Sequence, residues 1–207
     1  MATQQRGKKT REDVLNTAMH LFSLHGYHHT STNDILEAAA ISKGAFYYHF
    51  KSKDDLALKI LDRLQDDIQE NVIDPIKEAT RPESIFESLA NPVKSLSQND
   101  MARHRLLLTR FTLEMSNDDG ELARRINQTT VWLTQKITAV IQHAYDQGAL
   151  STNVTAQNTA DIIVVLWHGG ACQGLAKQQA LLKTLELLIT SRISTVSPIH
   201  PITRPHR

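Results

Sequence analysis

The chain has 207 residues, 41% of them hydrophobic, and a formal net charge of +1. That is enough for one large or two small domains with a sizeable core, and too near neutrality to argue for a polyanionic partner by itself. One cysteine, Cys172, excludes an intrachain disulfide, and neither a signal-like start nor a bilayer-length apolar run is present, so a soluble cytoplasmic protein is expected.

The charges are unevenly placed. Residues 1–53 hold seven Lys/Arg against four Asp/Glu, whereas the remainder holds sixteen against eighteen. The front end is the basic one.

Helical periodicity dominates, which predicts an all-α fold. The first helix is expected to start at Thr10, capped by its hydroxyl with Asp13 bonding back. It carries Val14, Leu15, Ala18, Leu21 and Phe22 on one face and ends at Gly26. A second capping pair, Ser31 with Asp34, opens a short helix that stops near Ile41. A third, Ser52 with Asp55, opens a longer one carrying Leu56, Ile60, Leu61, Leu64 and Ile68. Between them lies Ser42 to Phe50, and the tight connection at Ala40 to Ser42 gives the sequence form of a helix-turn-helix.

Beyond Asp74-Pro75, helices are expected near 83–98, 101–115, 119–147, 155–177 and 179–193. The tail VSPIHPITRPHR has three prolines in twelve residues and no helical pattern, which predicts disorder over 196–207.

Taken as a helix from Lys43, SKGAFYYHF puts Phe46 and Phe50 on one face and Lys43, Gly44, Tyr47 and Tyr48 on the other. The inner face reads as core. On the outer face, Gly44 and Ala45 let the backbone approach a base edge, the tyrosines can donate hydroxyls to phosphate, and Lys51 and Lys53 add charge.

The run LFSLHGYHHTSTNDILEAAAISKGAFYYHFKSKDDL resembles the DNA-binding domain of the TetR family of transcriptional regulators. Its Phe22, Gly26, Thr30, Thr32, Gly44, Phe46, Tyr47, Tyr48, His49, Phe50, Lys51 and Lys53 fall where that family's pattern has them. The resemblance implies a three-helix DNA-binding domain over 8–68, with the helix-turn-helix motif at about 31–50. A larger helical ligand-binding and dimerisation domain follows over 69–195. It implies that Thr32, Tyr47 and Lys53 meet phosphates, and that Lys43, Gly44, Ala45, Tyr48 and His49 lie in or beside the major groove; Ser42 and Lys51 complete the candidate set. The implied function is a ligand-responsive repressor of a pseudo-palindromic operator, released by a small, largely apolar effector.

No residue motif marks the effector site. Phe86, Phe111, Met115, Trp132, Trp167, His168 and Cys172 are candidates by residue type, with plain core as the competing reading of each. Gly169, Gly170 and Gly174 permit either close helix approach or room for a ligand. Residues Ile162 to Leu166 are apolar on every side of their helix and call for burial all round. With the leucine stripe of 179–193 they suggest a homodimer through these last two helices, about 155–177 and 179–193.

His25, His28 and His29 lack a nearby cysteine or carboxylate to complete a metal site, so no metal or cofactor is expected. An architectural DNA binder without effector is the alternative function. A helical metal enzyme is the other, but it needs Glu-x-x-His pairs that the chain lacks, and P-loop, Gly-x-Ser-x-Gly and HExxH motifs are also missing.

Overall fold

The computed structural model describes residues 2–78, 100–147 and 154–171, together with Ala180 and Thr184. Every element among them is a helix. The helices expected at 83–98 and 179–193, and the 196–207 tail, lie outside the described residues.

Helix α1 spans Ala2–His25, starting eight residues before the expected Thr10. Residues 2–9 are good helix formers apart from Thr3 and Gly7, so the helix extends through the position that would have capped it. Val14, Leu15, Ala18 and Phe22 are buried, as their spacing requires. Gly26 ends the helix in the left-handed region at φ +86°, its N–H donating to the Phe22 carbonyl at 2.9 Å.

Helix α2, Thr32–Ala38, opens on the capping box: Asp34 N–H donates to Ser31 Oγ at 3.2 Å and Ser31 N–H donates to Asp34 Oδ2 at 2.7 Å. It ends in a Schellman arrangement, with Ile41 N–H on the Leu36 carbonyl and Ala40 N–H on the Glu37 carbonyl, both at 3.1 Å. The residue forced to a positive φ, +52°, is Ala40. An alanine there costs about 1 kcal/mol against the ordinary region, since its Cβ crowds the following carbonyl.

After this turn comes α3, Lys43–His49, capped by Ser42 Oγ accepting Ala45 N–H at 3.2 Å. Helix α4, Lys53–Ile68, is capped by Ser52 Oγ on Asp55 N–H at 3.0 Å, while the Asp55 carboxylate receives Lys51 N–H.

The helical path does not stop at Ile68. A π-helical turn, Gln69–Ile73, leads directly into α5, Asp74–Glu78. The widened turn sits just ahead of Pro75, where a regular helix would drive the proline ring into the carbonyl four residues back. It also keeps Val72, Ile73 and Ile76 buried.

Three further helices complete the described bundle: α6 (Asp100–Glu114), α7 (Glu121–Asp146) and α8 (Ala156–Ala171). Helix α7 packs along α8, and α6 touches both α1 and α8. Arg125 ties α7 to α4, its Nη2 donating to Asp62 Oδ1 and Gln65 Oε1 at 2.8 Å each. One apolar cluster runs from Val14 in α1 to Trp167 in α8. In the single chain Ile163 and Val164 of α8 are buried, whereas Ile162 and Val165 face outward, Val165 at 67% exposure.

Candidate functional site

Helix α3 separates its two faces sharply. Phe46 and Phe50 are fully buried with ring centroids 5.6 Å apart, and the Arg11 guanidinium lies 5.8 Å above the Phe50 ring. Burying each ring contributes about 2 kcal/mol, which anchors α3 against the core. Tyr48, by contrast, is 82% exposed and stands edge-on to His49. Tyr47 is half-exposed and edge-on to Phe46.

Lys43 and Gly44 are exposed on the same side, with Ala45 partly so. A Cβ placed on Gly44 would meet only Ser42 Oγ, at 3.9 Å, so no internal packing requires a glycine there. The surface is open to a close-approaching partner. Ser42 is exposed, but its hydroxyl oxygen is committed to the helix cap, and Thr32, first residue of α2, is half-buried. Lys51 is exposed between α3 and α4, and His49 lies close to Gly7 of α1.

Lys53 sits differently from its neighbours. Its ammonium donates to the Tyr27 and Thr30 carbonyls at 3.0 Å each and lies 4.0 Å from the Tyr27 ring centroid. Burial pulls it below the usual lysine range, against the opposing pull of Asp54. Two of its three donors therefore hold the turn between α1 and α2, a role its sequence position did not signal. Burial, then the hydrogen bond to Asp54, push the Tyr27 hydroxyl above its ordinary value, so it stays protonated and donates to that carboxylate.

The effector candidates among the described residues are not gathered in one place. Phe111 is fully buried against Phe22 and Tyr27, at centroid distances of 5.8 and 6.1 Å, at the seam where α6 meets α1. Met115 lines a cavity of about 330 Å³ with Thr112, Arg124, Ile126 and Asn127. Trp132 lines a shallower depression of about 370 Å³ along α7, which shares Arg124 and Asn127 with the first. Trp167 and His168 lie together on α8 against α6. Phe86 and Cys172 are outside the described residues.

Residue type alone missed the polar cluster beside Trp167. Arg105 is buried in α6 and its Nη1 donates to the Trp167 carbonyl at 3.2 Å. Thr109, one turn on and also buried, has its hydroxyl 3.0 Å from His168 Nδ1. Burial first, then the Arg105 charge, lower the His168 pKa. The available signal was the i, i+4 pairing of Arg105 and Thr109 within an otherwise apolar stretch.

Residues 14–60 match the model of the bacterial regulatory proteins of the tetR family. The chain is 25% identical over 166 residues to the HTH-type transcriptional regulator UidR of Escherichia coli (strain K12), covering 80% of this chain and 82% of UidR. Over residues 14–60 the chain is similar to the DNA-binding part of the TetR family. A TetR-family regulator from Agrobacterium tumefaciens shares its fold, with a TM-score of 0.78 at 20% identity over 89% of this chain and 100% of that one. So does AibR, solved in complex with isovaleryl coenzyme A and operator DNA, with a TM-score of 0.69 at 17% identity over 87% of this chain and 97% of AibR. The similarity is thus to helix-turn-helix transcriptional regulators, and the described residues share their all-α fold. No described helix is long and apolar enough to cross a membrane.

Proposed function

We propose that this protein is a TetR-type regulator, a cytoplasmic homodimeric repressor of a pseudo-palindromic double-stranded operator, released by a small, largely apolar effector. Residues 8–68 bind DNA and 69–195 bind the effector and the second subunit. The observation that carries the DNA half is the two-faced α3, whose Phe46 and Phe50 fix it in the core while Tyr47, Tyr48, Lys43 and the bare Gly44 face outward.

In this reading Lys43, Gly44, Ala45, Tyr48 and His49 enter or flank the major groove. Thr32, Ser42, Tyr47 and Lys51 contact phosphates. Lys53 offers phosphate the one ammonium donor not held by the Tyr27 and Thr30 carbonyls. Exposed Ile162 and Val165 on α8 support pairing with a second copy, which would carry two recognition helices to successive half-sites. The relative UidR is a transcriptional regulator, which supports a binding role rather than an enzymatic one.

Effector binding among α6, α7 and α8 lowers operator affinity by its preference for a conformation that mismatches the two half-sites. The test is fluorescence anisotropy on DNA from upstream of the gene, across a salt series, beside Lys51→Ala and Tyr47→Ala variants. Saturable binding to one short pseudo-palindrome, weakened in both variants and with a salt slope lower by about one for Lys51→Ala, supports the assignment. Binding indifferent to sequence, or variants that bind as well as the parent, overturns it.

A further inference from the structure

The first turns of α1 carry positive charge that the packing of the single chain does not use. Residues 2–11 hold four Lys/Arg and no Asp/Glu. Arg11 is committed: its guanidinium pairs with Glu12 at 3.3 Å and lies over the Phe50 ring, while Glu12 also receives Arg63 of α4 at 3.2 Å. Lys8 and Lys9 are exposed and form no ion pair with any described residue. Asp13, the exposed acid one turn after Lys9, is not within ion-pairing distance of it.

Solvated lysines are ordinary on a helix surface; what singles these out is where the helix passes. A Cβ placed on Gly7 would stand 3.9 Å from Cε1 of His49, the last residue of α3, and Arg11, one turn on, reaches the Phe50 cap. The opening turns of α1 therefore run past the C-terminal end of α3. At that end exposed Tyr48 stands edge-on to His49, with ring centroids 4.9 Å apart, and Lys51 is exposed just beyond. Lys8 and Lys9 follow Gly7 within the same helical turn, and each carries its ammonium on a flexible four-carbon stem. They add a basic rim to the outer face of α3. A helix starting at Thr10 would have left both lysines ahead of it with no fixed place; the extension to Ala2 holds them beside α3.

We propose that Lys8 and Lys9 are a further DNA-contacting element, holding the sugar–phosphate backbone beside the half-site that α3 reads. The inference rests on the regulator reading above and widens the surface which that reading gives to DNA. Two observations favour DNA phosphate as the occupant: the charge is of one sign and unneutralised, and it adjoins the face whose Tyr48 and His49 are assigned to the groove. Ammonium groups on mobile stems act as point charges suited to a phosphate backbone and lack the fixed fork that reads a base edge. The two lysines therefore contribute to affinity and to its salt dependence, and not to sequence discrimination.

The experiment compares the full chain with a Lys8→Gln/Lys9→Gln variant and a Lys8→Arg/Lys9→Arg variant. Anisotropy titrations over a salt series use two probes, a random-sequence duplex and the duplex from upstream of the gene. Glutamine keeps the helix propensity of lysine, so circular dichroism of the three proteins is expected to coincide. The glutamine variant is expected to bind both probes more weakly, with a salt slope lower by about two per bound protomer, while the ratio of its affinities for the two probes stays within about twofold of the parent's. The arginine variant is expected to match the parent in affinity and slope. A glutamine variant with the parent's slope, or one whose discrimination between the probes changes, overturns the proposal. A parent that fails to discriminate the probes counts against the regulator reading, and the slope difference on the random duplex still decides the α1 contact. A parent that binds neither probe overturns both.

Discussion

The Glu114 carboxylate at the end of α6 accepts the backbone N–H of His28 at 2.9 Å, across 86 positions of sequence. The same carboxylate lies over Gly26, where an added Cβ would stand 2.0 Å from Glu114 Oε1. The left-handed turn after α1 and the end of α6 are thus fitted to each other.

Gly26→Ala should therefore destabilise by about 2 kcal/mol, combining left-handed strain with displacement of Glu114. Glu114→Ala alone should cost about 1 kcal/mol through the lost bond to His28. Because both changes break the same contact, the double variant should cost less than the sum, by about 0.5 kcal/mol or more. Chemical denaturation of the four proteins measures this; simple additivity would show that the two residues are independent.

Ala40 occupies the left-handed position of the helix-turn-helix turn at φ +52°. Replacing it by glycine relieves the Cβ strain at the expense of a looser unfolded chain. Ala40→Gly should raise stability by about 0.5 kcal/mol and leave operator affinity within about twofold, since its Schellman bonds are main-chain ones. A loss of stability would mean that the turn is not strained.

The two faces of α3 should separate in mutagenesis. Phe46→Ala empties a fully buried site and should cost about 3–5 kcal/mol. Tyr48→Ala removes an 82% exposed ring, should change stability by no more than about 0.5 kcal/mol, and should weaken operator binding clearly. Denaturation midpoints and anisotropy on the same preparations check both halves.

Asp34 closes the α2 capping box, and the backbone hydrogen bond from Ser31 is the main reason its pKa is lowered from 3.8. A carboxylate with a depressed folded pKa binds fewer protons folded than unfolded, so its contribution is present above 3.8 and is lost as pH falls through the folded value. Thermal unfolding across this acid range should show a smaller decline for Asp34→Asn than for the parent. Parallel declines would exclude the cap as a source of acid sensitivity.

The N-terminal region was readable because its determinants are local. The bonds of Ser31 with Asp34 and of Ser52 with Asp55 span three residues, and the burial of Phe46, Phe50 and the α4 stripe follows from helical spacing. Extension of α1 back to Ala2 and passage of the helical path through Pro75 were missed, since neither a bypassed cap nor a π-turn has a distinctive residue pattern. Contacts across the bundle were invisible for another reason. Lys53 on the Tyr27 and Thr30 carbonyls, Phe111 at the α1 seam and Arg105 on the Trp167 carbonyl depend on how helices dock, which spacing within one helix does not encode. Residue type favoured large rings as effector contacts, and one of those rings, Phe111, packs against Phe22 and Tyr27 instead.

The bareness of Gly44 also bears on how such a protein changes its target over generations. Since a Cβ at that position meets only Ser42 Oγ, at 3.9 Å, folding places little restriction on the first atom of a substituent there, and in the proposed function it is the DNA that selects among them. Tyr48, almost wholly outside the core, has the same freedom. With the anchor rings fixed and the outer residues free to vary, the proposed function implies that a duplicated copy of this gene can drift to a new operator through folded intermediates.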